Sequence, residues 1–109
     1  MDTRIYAVDF ETYYEKGYSL SGTAKHRALS YGEYTSHEKF DPYLVAIVGS
    51  DGYTYCGDPK EFDWTSIEGC MWISHNTAFD MAVWSEMVNR GWIEEAMPSE
   101  WHCTQDLCA

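Results

Sequence analysis

The chain has 109 residues, 45% hydrophobic and 17% aromatic, with a formal charge of −11. That is enough apolar material for one small domain over residues 1–109, and it excludes both a disordered segment and several independent cores. No apolar run approaches the ~20 residues of a membrane span, and the charged start Met1-Asp2-Thr3-Arg4 lacks an export-signal core, so a cytoplasmic protein without membrane contact is expected.

Strand-forming residues open the chain. Ile5-Tyr6-Ala7-Val8-Asp9-Phe10-Glu11 predicts a first strand over about Arg4 to Glu11. Residues 12 to 42 form a long link, in which Leu20 to Leu29 is expected to be a short helix and Thr35-Ser36-His37-Glu38 has a capping-box outline. Lys16, Lys25 and Arg27 lie here beside Tyr13, Tyr14 and Tyr18, a mixture able to hold a single strand by phosphate contact and base stacking. Tyr43 to Val48 predicts a central strand, Ser50-Asp51-Gly52 a turn, and Tyr53 to Cys56 the return of a hairpin.

Further along, Asp58 and Pro59 are placed to start a helix running to about Ile67. Cys70 to Ser74 predicts a fourth strand. A helix from about Thr77 to Arg90 follows, with Phe79, Val83, Met87 and Val88 on its apolar face and Gly91 as its stop. A fifth strand is expected near Trp101 to Thr104.

The acids of the first and fourth segments carry the chemistry. Side chains alternate along a strand, so Asp9 and Glu11 project to one face while Phe10 points to the other. Two neighbouring carboxylates at a buried strand repel each other, and a divalent cation relieves that cost. Asp80, in the first turn of a helix that leaves another strand, can join them. Hard oxygen ligands of this kind suit Mg²⁺ or Mn²⁺. Cys56, Cys70, Cys103 and Cys108 form no Cys-x-x-Cys pair, and His102, Cys103 and Cys108 have spacing unlike a structural zinc site, so buried reduced thiols are expected.

With those residues in view, the chain resembles the DnaQ-like, or DEDD, 3′–5′ exonucleases, in the style of the proofreading region of phage-type and bacterial family A DNA polymerases. Val8-Asp9-Phe10-Glu11-Thr12 is similar to that family's first motif, and His75-Asn76-Thr77-Ala78-Phe79-Asp80 to its second. The resemblance implies an α/β, ribonuclease-H-like mixed sheet in the order βββαβαβ with flanking helices. It implies two Mg²⁺ or Mn²⁺ ions, with Asp9 bridging them and Glu11 and Asp80 as further ligands. Phe10, Thr12, His75, Asn76 and Phe79 would hold the 3′ end of single-stranded DNA, and the parent protein would carry a polymerase.

The resemblance also implies a third motif, a Tyr or His preceding an Asp on a late helix. The chain lacks it. His102 and Asp106 have a superficially suitable spacing, but Trp101 to Thr104 is expected to be the strand before that helix. A truncated domain without its final helix is therefore expected, with impaired activity and an uncovered apolar sheet face open to self-association. The charge of −11 opposes tight nucleic-acid binding, because basic surfaces drive phosphate contact. The same chemistry on RNA or short oligonucleotides is one alternative; a non-catalytic module that binds metal or docks a partner is another.

Overall fold

The computed structural model describes residues 4–22 and 25–104. Along the chain run β1 (Ile5–Thr12), α1 (Tyr31–Ser36), β2 (Pro42–Gly49), β3 (Thr54–Gly57), a 3-10 turn (Trp64–Ile67), β4 (Met71–Ser74), α2 (Thr77–Asn89) and β5 (Glu100–Cys103). The strands form one mixed sheet in the order β3-β2-β1-β4-β5. β1 pairs antiparallel with β2 and β2 with β3, whereas β1–β4 and β4–β5 are parallel. This is an α/β protein with a five-strand mixed sheet and two helices.

The alternation expected of β1 is present: Tyr6, Val8 and Phe10 are buried, while Asp9 and Glu11 are exposed. The buried set meets Val45 and Ile47 of β2, Trp72 of β4, and Val83, Trp84 and Met87 of α2. Ring contacts run through this layer from Phe10 to Trp64 (5.7 Å), Trp64 to Trp72 (5.6 Å) and Trp72 to Trp84 (6.0 Å). Large flat side chains supply much buried area with few rotamers to fix, which suits a small core. The opposite face is thinly covered among the described residues. Ala7, Ala46 and Ile73 are half-buried, Val48 is exposed, and all four line a concavity of about 360 Å³.

Both helices begin with their capping side chains in place. Asn76 accepts a hydrogen bond from the Phe79 amide at the start of α2. The other end of α2 is a Schellman turn: Gly91 N–H donates to Val88 O, Trp92 N–H donates to Met87 O, and Gly91 takes φ 75°. α1 starts with a reciprocal box in which Ser30 Oγ accepts from Glu33 N and Glu33 Oε1 accepts from Ser30 N.

Four local expectations are corrected. The capping box belongs to Ser30 and Glu33, and Thr35-Ser36 lie inside the helix it starts. The described residues between Leu20 and Leu29 carry no helix; Leu29 N–H instead closes a loop onto Ser19 O at 3.0 Å. The stretch after Asp58 is not a helix either. Pro59 O, which a helix would offer to the amide four residues on, is taken by the Trp64 indole at 2.9 Å, and only the Trp64–Ile67 turn forms, capped by Asp63. Of the described thiols only Cys70 is buried; Cys103 is half-buried and Cys56 exposed. Cys108 and Asp106 lie outside the described residues.

Candidate functional site

β1 is the middle strand, and its parallel pairing with β4 covers only Ile5 to Ala7 against Met71 to Ile73. Beyond Ala7 it runs on past the end of β4. There, after the turn at His75 and Asn76, α2 begins. Asp80 Oδ1 accepts the Phe10 amide at 3.3 Å, across seventy positions of sequence. Ser74 fixes the same junction: its Oγ donates to Val8 O at 2.8 Å and accepts from Trp101 Nε1 at 2.8 Å, tying β4 to both neighbours.

Asp9 and Glu11 are exposed, whereas Asp80 is 2% exposed. Burial raises the Asp80 pKa from 3.8 to about 7; the charges of Asp9 and Glu11 push in the same direction, while the Phe10 amide opposes them. Asp80 has no ion-pair partner among the described residues. The three carboxylates therefore share one end of the sheet and influence one another. Among the described residues, however, no three His, Cys, Asp or Glu side chains are assembled into a metal-holding cluster. Their donor chemistry fits a hard divalent cation, which would reverse the penalty on a buried carboxylate with two like charges nearby. Asp9, Glu11 and Asp80 are the residues that would hold it.

The other predicted residues fall into two groups. Thr12 and Phe79, each one position from a candidate ligand, line one side of a groove of about 360 Å³ with Tyr14, Leu20 and Tyr34. Asn76 lines an adjoining hollow of about 510 Å³ with Leu20, Leu29 and Tyr31. Phe10 is buried and points into the core, so its side chain takes no part in this groove; its amide holds Asp80. His75 is exposed in the turn, where its carbonyl accepts from Cys103 Sγ at 3.2 Å.

Sequence reasoning missed Ser74, Tyr31 and Tyr34. Tyr34 OH donates to Tyr13 O, which leaves it to accept from Thr12 Oγ1 at 2.8 Å. Tyr18 stacks on Tyr34 at 4.5 Å and donates to its carbonyl at 2.7 Å. Tyr31 meets Phe79 edge-on at 6.1 Å, and its hydroxyl accepts from Asn76 Nδ2 at 3.2 Å. The Ser30–Glu33 spacing was the one sequence signal that could have revealed α1 and hence these tyrosines.

Comparison with protein families, with curated proteins and with solved structures finds no match. Among the described residues no helix is long and apolar enough to cross a membrane.

Proposed function

We propose that this chain belongs to a metal-dependent 3′–5′ exonuclease of the DnaQ-like (DEDD) kind, built on a ribonuclease-H-like sheet. The contact of Asp80 with the Phe10 amide at 3.3 Å carries the reading. It sets the second acidic motif against the strand that bears the first. The strand order, antiparallel on one side of β1 and parallel on the other, supports the fold assignment. The reading brings with it single-stranded DNA as substrate, a polymerase in the parent protein and a cytoplasmic location. It also brings self-association through the face bearing Ala7, Ala46, Val48 and Ile73.

In this reading Asp9, Glu11 and Asp80 hold the cations at the end of β1. Bound divalent ions supply the Lewis acidity that activates water and offsets charge on the scissile phosphate. Thr12, Asn76 and Phe79 position the terminal nucleotide beside those acids. Tyr34 holds the Thr12 hydroxyl in place from behind. No residue among the described ones is assigned to orient the attacking water.

A non-catalytic module that binds metal through the same acids is the second reading, which the contact of Asp80 with the Phe10 amide serves equally well. The deciding experiment incubates the chain with 5′-labelled single-stranded DNA and Mg²⁺ or Mn²⁺, beside Asp9→Ala and a chelator control. A ladder shortening from the 3′ end, lost in both controls, supports the exonuclease. Metal binding through Asp9 without cleavage supports the module. Metal affinity unchanged in Asp9→Ala refutes both.

A further inference from the structure

A third hollow, of about 260 Å³, lies between the loop after β3 and the segment after α2, and it shares no residue with the groove or the three candidate ligands. Buried Phe62 and Trp64 and half-buried Trp92 supply its aromatic surface; Lys60, Asp63 and Glu94, all exposed, are its charged members. Trp92 carries two of the chain's own cations, with Arg90 Cζ 4.9 Å and Lys60 Nζ 5.0 Å from its ring centroid. Arg90 is fixed in place, because it pairs with Glu86 at 2.8 Å and donates to the carbonyls of Thr35 and His37. The Lys60 ammonium is held by the ring alone and pairs with no carboxylate among the described residues, although Asp63 and Glu94 border the same hollow. Asp63 is itself held rigidly: its Oδ1 accepts from the Thr65 amide at 3.2 Å and the Thr65 hydroxyl at 2.5 Å, while Oδ2 takes no bond among the described residues.

The hollow thus joins a ring that attracts cations to two carboxylates, and Lys60 satisfies only the ring. A guanidinium meets both demands. It is planar and weakly hydrated, so it stacks on an aromatic face while its edge N–H groups donate to carboxylate oxygens. An anion is disfavoured, because two lining acids outnumber the one lining base. The volume falls below the roughly 300–1,000 Å³ of small-molecule sites, so the hollow suits one side chain. We propose that it is a docking site for an arginine side chain on a basic protein partner, and that Lys60 occupies the ring until that arginine displaces it. Exposed Glu61 and Glu95, adjacent in sequence to lining residues, add to the negative potential there. The overall charge of −11, which opposes phosphate binding, speeds encounter with a basic partner. The inference is independent of the exonuclease reading, since it uses none of Asp9, Glu11 or Asp80.

The test titrates acetyl-Gly-Arg-Gly-amide into the whole chain and follows amide and indole N–H signals by NMR. Salt of about 0.15 M screens attraction between exposed charges more than about 8 Å apart. The same peptide with lysine, and with citrulline as the uncharged counterpart of arginine, are the comparison probes. The arginine peptide should shift signals of residues 60–64 and 92–94 saturably, the lysine peptide should bind more weakly, and the citrulline peptide should leave them unmoved. Trp92→Leu, and Asp63→Asn combined with Glu94→Gln, should each weaken binding at least about threefold. Asparagine keeps the oxygen that Thr65 uses, so the turn retains its cap. Lys60→Ala should tighten binding by about threefold, because the competing ammonium is gone.

Tighter binding in Lys60→Ala is the outcome that a merely structural lysine would not produce. Weaker or unchanged binding in that variant overturns the proposal. So does citrulline binding as well as arginine, or shifts spread over acids elsewhere on the surface. Should Trp92→Leu fail to fold, the carboxamide pair and Lys60→Ala decide the matter, because both replace exposed side chains only.

Discussion

Asp80→Asn in metal-free protein tests the electrostatic core of the argument. The folded carboxyl has a pKa of about 7 against 3.8 when unperturbed, because burial disfavours its charged form. Between those values the native state holds a proton that the unfolded state has released, so stability falls as pH rises through the interval. Below about pH 4 both states are protonated and the penalty vanishes; above about pH 7 it is complete. The interval from 3.8 to about 7, at about 1.4 kcal/mol per pH unit, corresponds to a penalty of about 4 kcal/mol. Asparagine removes the charge and keeps an oxygen for the Phe10 amide, while its new N–H₂ group returns part of the gain by needing an acceptor.

The variant should therefore be more stable than wild type by about 2–4 kcal/mol near pH 8, and within about 1 kcal/mol of it near pH 4.5. Urea unfolding followed by the fluorescence of the five tryptophans, in chelator at several pH values, measures the difference directly. A stability gap that does not change with pH, or a variant less stable than wild type near pH 8, refutes the reasoning. Titrating in Mg²⁺ near pH 8 should then stabilise the wild type and leave Asp80→Asn unmoved, because only a ligand held by the native state shifts its stability.

Three further changes probe the frame around the site. Ser74→Ala removes the bond to Val8 O and leaves the Trp101 indole N–H unpaired; it should cost about 2–3 kcal/mol in the same urea assay. Gly49→Ala would set a methyl group 2.5 Å from Tyr6 Cε1 and against Asp51 Oδ1. A loss of about 1–3 kcal/mol is expected from that overpacking, and a thermal midpoint equal to wild type would contradict it. Tyr34→Phe frees Thr12 Oγ1 and Tyr13 O but keeps the stack on Tyr18. It should lower stability by about 1 kcal/mol, and amide exchange should speed up at Thr12 and Tyr13 more than in α2.

The sequence by itself determined those parts whose physics is local. Strand β1 was legible because alternation along a strand is a near-neighbour rule, and it put Asp9 and Glu11 on one exposed face. Helix α2 was legible because Asn76 and Gly91 punctuate it. The same local rules failed after Asp58, where Trp64, packed in the core against Phe10 and Trp72, takes with its indole the Pro59 carbonyl that a helix needed. They failed again around α1, where two successive Ser/Thr-to-Glu spacings, Ser30–Glu33 and Thr35–Glu38, competed, and the helix starts at the earlier one with Tyr34 and Thr35 buried.

Only the tertiary structure decided that β1 lies between β2 and β4, and that β4 ends early enough to seat α2 beside Phe10. It likewise decided that Asp80 is buried while Asp9 and Glu11 are not, and that Tyr14, Tyr31 and Tyr34 gather beside Phe79. Those arrangements join residues twenty to seventy positions apart, as Tyr34 to Thr12 and Asp80 to Phe10 illustrate. Their energy comes from burial and pairing that exist only once the chain has closed on itself, so no window of neighbouring residues contains it.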